Sequence, residues 1–135
     1  MMDHTPTDDN GVAGVYIGGN TTASAHAFYY LTSPAIDLAA VSTPVHLEFW
    51  RHLNSDDPVV MKSTVEVYDG AAWQQVYANK GAVMDSVWTK QQYDVSAFKN
   101  ANFRVRWGWQ ANQGALICSQ WNVDDVRLLP DPTCP

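Results

Sequence analysis

Basic side chains are scarce in this chain. Eight Lys and Arg stand against fourteen Asp and Glu in 135 residues, a formal net charge of −6. Binding to a phosphate backbone requires a clustered positive surface. No stretch gathers the few cations, so nucleic acid is not expected as a partner, and an anionic membrane surface is disfavoured likewise. Long apolar runs are missing too; none approaches the ~20 residues of a membrane span. The start, Met1-Met2-Asp3-His4, has neither a basic region nor an apolar segment and does not read as a signal peptide. An excised fragment, or a chain short of an upstream export signal, is therefore expected. Charged residues make up only 16 %, under the usual ~25 %.

Catalytic signatures are absent as well. No Ser sits in a Gly-x-Ser-x-Gly elbow, no glycine loop suits a phosphate, and no paired cysteines frame a zinc site. Only two cysteines occur, Cys118 and Cys134. A disulfide between them would stabilise by about 3 kcal/mol in the chain-entropy model. Two cysteines alone do not define a compartment, so two unpaired thiols remain the alternative. The sequon Asn20-Thr21-Thr22 matters only in a eukaryotic secretory pathway.

Sustained helical periodicity is also lacking. What is present is a series of short β-rich runs broken by Gly, Pro, Asn and Asp. Strands are predicted at residues 13–18, 27–31, 36–38, 45–53, 64–68, 73–77, 88–95, 103–109 and 116–129. The last is expected to bulge near Asp124-Asp125. A short helical turn is predicted at 96–100, and Asp69-Gly70 marks a hairpin lengthened by two alanines. Turns every 8–12 residues and six Trp, six Tyr and four Phe suit an all-β sandwich or barrel. With no repeat and no dividing linker, residues 1–135 read as one domain.

Alternation separates the faces of two strands. Val45, Leu47 and Phe49 point one way; His46, Glu48, Trp50 and His52 point the other. Phe103, Val105, Trp107 and Trp109 likewise oppose Arg104 and Arg106. If the two strands share a sheet, one side is core and the other is a polar surface. Trp107, Trp109 and Trp121 are expected to pack rather than bind.

Several motifs in order resemble a known family. Asp3-His4-Thr5 precedes Gly14-Val15-Tyr16, then Leu31-Thr32-Ser33-Pro34 and Ile36-Asp37-Leu38. Leu47-Glu48-Phe49-Trp50 and Val65-Glu66-Val67-Tyr68 with Trp73 follow. Trp88 leads to Asp94-Val95-Ser96, and Phe103-Arg104-Val105-Arg106, Trp121-Asn122-Val123-Asp124-Asp125-Val126 and Cys134 complete the set. The pattern resembles the MAM domain and its bacterial cleaved-adhesin and immune-inhibitor-A-like relatives. The resemblance implies a jelly-roll β-sandwich of two antiparallel sheets, similar to concanavalin-like and galactose-binding-like folds. It also implies a secreted or cell-surface setting and non-catalytic work in adhesion or glycan binding. Such domains carry an edge strand ahead of the Asp-His-Thr motif, which here begins at residue 3. An edge without its neighbour invites pairing with another chain, so a homodimer is expected.

Three kinds of site follow. Hard oxygen donors are plentiful at Asp3, Asp8, Asp9, Asn10, Asp124 and Asp125, as Ca²⁺ prefers. The resemblance implies a cation held by Asp3 and Asp124. The plainer reading is a turn at Asp8-Asp9-Asn10-Gly11, with Asp124 bonding backbone amides. Secondly, His46, Glu48, Trp50, Arg104 and Arg106 have the planar polar and aromatic chemistry that sugars and protein ligands require. Thirdly, the same strand supports a small metal-dependent hydrolase: His46 and Glu48 would hold Zn²⁺ or another transition metal, with His52 and Glu66 as further candidates. The binding module, stabilised by Ca²⁺, is the main expectation and the hydrolase the alternative.

Overall fold

The structure is a computed structural model that describes residues 3–5, 7, 8, 11–17, 19, 21, 24–117 and 119–131. In chain order the strands are β1 (Ala13–Val15), β2 (His26–Thr32), β3 (His46–Ser55), β4 (Met61–Tyr68), β5 (Trp73–Ala78), β6 (Val83–Met84), β7 (Thr89–Asp94), β8 (Arg104–Ala111) and β9 (Gln120–Leu129). They form two antiparallel sheets, a jelly-roll β-sandwich. Sheet one runs β1-β9-β3-β6, with β7 also paired to β3, and sheet two runs β2-β8-β4-β5. The segment predicted at 36–38 forms no regular strand but makes an isolated bridge, Ile36 to Phe103, and a Leu38 amide bond to the Asn100 carbonyl. The predicted helical turn is a single 3-10 turn, Ser96–Phe98.

The two-residue rhythm explains the core. Leu47, Phe49 and Leu53 of β3 face Val65 and Val67 of β4 and Val105, Trp107 and Trp109 of β8, with Trp121 and Val123 of β9 beside them. Phe49 meets Trp107 edge-on, with ring centroids 5.5 Å apart. Each such side chain contributes about 1.5–3 kcal/mol by leaving water. The three tryptophans expected to pack are buried. Trp121 also donates its indole N–H to the Gly108 carbonyl at 3.1 Å, tying sheet one to sheet two.

Turns are closed by aspartates, as their short acceptor side chains favour. Asp57 accepts the Val59 amide after β3, and Asp69 accepts those of Ala71 and Ala72 between β4 and β5. Gly70 has φ of +98° in that hairpin, a conformation that suits glycine. Arg51 points inward from β3, grips Asp85 through two hydrogen bonds of 2.8 and 3.0 Å, and donates to the Tyr77 hydroxyl at 3.2 Å. Asp85 also accepts the Leu53 amide, which fastens the segment just after β6 to β3.

Candidate functional site

The predicted ligand residues fall on opposite sides of the molecule. His46, Glu48, Trp50 and His52 lie on β3 of sheet one, whereas Arg104 and Arg106 lie on β8 of sheet two. The shared polar surface expected from the two alternating strands is therefore corrected. Each strand does have one apolar and one polar side, but the apolar sides face each other across the core. The hydrolase set divides in the same way. Glu66 sits on β4 of sheet two and bonds Arg106, so it does not meet His46, Glu48 or His52.

On sheet one the outer face is largely occupied. Glu48 is only 2 % exposed and accepts a hydrogen bond of 2.8 Å from Gln92 on β7. The Asp3–Thr5 segment lies over the same face. His4 stacks on Trp50 with centroids 3.7 Å apart, and Lys90 approaches the Trp50 ring to 5.7 Å. Trp88 packs edge-on against both His4 and His52. Burial lowers the His52 pKa from its ordinary value. Among the described residues, no group of three or more His, Cys, Asp or Glu side chains is placed to hold a metal ion.

Asp3 and Asp124 do come together. The bulge in β9, opposite Phe49, places Glu48 against Arg127 and Trp50 against Asp124. Asp125 takes the left-handed conformation, φ +49°. Asp124, 8 % exposed, accepts the His4 amide at 2.9 Å and the Asp125 amide at 2.7 Å. Burial, with a hydrogen bond to the Asp3 carboxyl, raises its pKa above the usual carboxylate value. Asp125 accepts from the Thr5 hydroxyl and pairs with His4 Nδ1 at 2.8 Å, and these contacts lower its pKa. Two adjoining acid oxygens fit a hard cation, and backbone carbonyls or water would have to supply the remaining ligands. Asp9, Asn10, the sequon residues Asn20 and Thr22, and both Cys118 and Cys134 lie outside the described residues.

Sheet two carries an open aromatic and polar face. Cross-strand partners share a face, so the rows Thr32, Arg106, Glu66, Gln75 and Arg104, Tyr68, Trp73 all point outward. Arg106 lies 3.8 Å from the centre of the Tyr30 ring and 4.1 Å from that of Trp73, and its Nε donates to Glu66 at 2.9 Å. Tyr30 is 42 % exposed and stacks beside Phe28 at 5.4 Å. It crosses β8 at Gly108, where a Cβ atom would come within 2.8 Å of the ring. Tyr68 and Trp73 pack at 5.4 Å. Together with Asn102 and Arg104 they line a shallow cleft of about 390 Å³.

Sequence reasoning missed Tyr30, Tyr68 and Trp73 as members of this face. Their signal was present. The Asp69-Gly70 hairpin sets Tyr68 opposite Trp73, and alternation along 27–31 puts Tyr30 on the side opposite Tyr29 and Leu31. What no local pattern shows is that β8 lies between β2 and β4.

No protein-family model matches the chain, and no curated protein matches it. Among solved structures the chain is similar to TmCBM61, in its complex with β-1,4-galactotriose, at 12 % identity and a TM-score of 0.45. The similarity covers 76 % of this chain and 61 % of that one.

Proposed function

We propose that the protein is a non-catalytic, extracellular, MAM-like module that binds glycan through the outer face of sheet two. The observation that carries this reading is the row Tyr30–Arg106–Trp73 beside the Tyr68/Trp73/Asn102/Arg104 cleft. Sugars present C–H faces that stack on aromatic rings and hydroxyls that pair with planar polar groups. Arg106 is fixed by Glu66 and two rings, so the platform is ordered before the ligand arrives, which lowers the entropic cost of binding. Asp3 and Asp124, with Ca²⁺ between them, are proposed to brace the opposite face rather than to contact the ligand. Self-association through an open strand edge is proposed as well, and β2 and β5 are the edge strands of sheet two.

Two tryptophans on opposite sheets test this reading. Trp73→Ala is expected to weaken oligosaccharide binding about tenfold in titration calorimetry, as loss of a central aromatic anchor does. Trp50→Ala should leave binding unchanged. Loss in Trp50→Ala with retention in Trp73→Ala would move the site to sheet one. A wild-type protein that bound a protein ligand but no oligosaccharide would reject the glycan reading.

A further inference from the structure

We infer that Arg104 makes the sheet-two face selective for an acidic saccharide, with its guanidinium receiving the carboxylate of a uronic acid seated in the cleft lined by Tyr68, Trp73 and Asn102. The inference rests on the glycan reading above and names the ligand class for the same face.

Arg104 differs from the cations whose partners are seen. Arg51 is bonded to Asp85 and Arg106 to Glu66, Lys90 approaches Glu48, and Lys99 donates to the Val41 and Thr43 carbonyls. Among the described residues Arg104 forms no side-chain hydrogen bond or ion pair. It is nevertheless placed by its strand. Its register partner on β4 is Tyr68, whose partner on β5 is Trp73, and all three line one cleft. Two strand spacings separate Arg104 from Trp73, about 10 Å of backbone distance. A pyranose seated in the cleft against the Trp73 edge of that row would direct an equatorial carboxylate toward the guanidinium across that span.

The local charge supports an anion. Arg104 and Arg106 point outward beside the cleft, and among the described residues of the sheet-two strands Glu66 is the one carboxylate, already engaged by Arg106, although the whole chain carries −6. Asp69, in the adjoining hairpin, directs its carboxylate into its own turn and to the Gln74 amide. A planar fork of donors matches a carboxylate through two parallel hydrogen bonds, which an ammonium does not reproduce. A guanidinium with no partner among the described residues, beside an aromatic ring, therefore favours an acid group on a sugar over a hydroxyl.

Calorimetry of the full chain with oligogalacturonate and alginate oligosaccharides, each compared with its methyl-esterified form, tests the inference. The wild type should bind at least one acid about tenfold more tightly than its neutral ester. Arg104→Gln, an exposed change expected to leave the fold intact by circular dichroism, should lose the preference and bind acid and ester with equal affinity. Arg104→Lys should recover only part of the preference. Equal wild-type affinity for acid and ester, or an undiminished preference in Arg104→Gln, overturns the inference and leaves the glycan reading standing. Failure of every sugar, neutral ones included, removes both. A sulfated galactan oligosaccharide that bound where no uronate did would replace the carboxylate by a sulfate ester and overturn the assignment as stated.

Discussion

Successive residues of a regular strand point to opposite faces, yet Asp124 and Asp125 both reach the Asp3–Thr5 segment. The bulge at Asp125 and Val126, opposite Phe49, makes this possible, since an extra residue in one strand re-aims the side chains beside it. The outcome is a buried Asp124 carboxyl against that of Asp3, with His4 and Thr5 held by Asp125. A divalent cation between the two carboxyls would remove their mutual repulsion. Calcium at a hundredfold excess over its dissociation constant is expected to add about 2.7 kcal/mol of stability. The Asp124→Asn protein should show no calcium-dependent rise in melting temperature, and an unchanged rise would take Asp124 out of the site. The doubled aspartate was enough to suggest the bulge from sequence. The partner of each carboxyl was not readable, because Asp3 and Asp124 meet only through the fold. The amide bonds expected under the plainer reading of Asp124 are present as well.

At the scale of elements, β1 shows how narrow the tolerance is at a sheet edge. It has three residues and pairs Gly14 with Asn122 of β9. A Cβ on Gly14 would stand 2.7 Å from the Asn122 Cα, with the Trp121 carbonyl also in its way. Backbone atoms cannot yield as a flexible side chain does, so Gly14→Ala is expected to detach β1 and cost about 1–3 kcal/mol. Hydrogen exchange would detect this as faster exchange at 13–15 and along the facing edge of β9, with β4 and β8 unaffected. Protection equal to the wild type would show that the edge accommodates the methyl group. The longer strands were readable because alternation over six or more residues is a strong signal. β6 was not, having two residues and depending on Asp85, whose bonds to Arg51 and to the Leu53 amide bring the chain back to β3. The 36–38 segment has strand-like composition but finds only one bridging partner. The pairing order carries no local signature at all, so alternation alone does not show that the polar sides of β3 and β8 lie on two surfaces rather than one.

For the molecule as a whole, the few charges do more to tie turns than to form surface ion pairs. Asp56 accepts the amides of Leu116, Ile117 and Asp57, joining the turn after β3 to the loop before β9. Asp69 closes the β4–β5 hairpin, and Asp94 accepts the hydroxyl and amide of Ser96 after β7. These hydrogen bonds lower all three carboxyl pKa values below the ordinary value. A carboxyl with a depressed folded-state pKa binds its proton more readily when unfolded. Its stabilisation is complete above the unfolded value, near ~4, and is lost as pH falls through the lower folded one. The melting temperature is therefore expected to vary little from these groups above pH ~5 and to drop progressively below ~4. Asp56→Asn should be less stable than the wild type at neutral pH, and the gap should narrow on acidification as the wild type loses the same bonds. A gap that stayed constant across that range would mean that the Asp56 charge contributes nothing to holding the turn after β3 against the loop before β9.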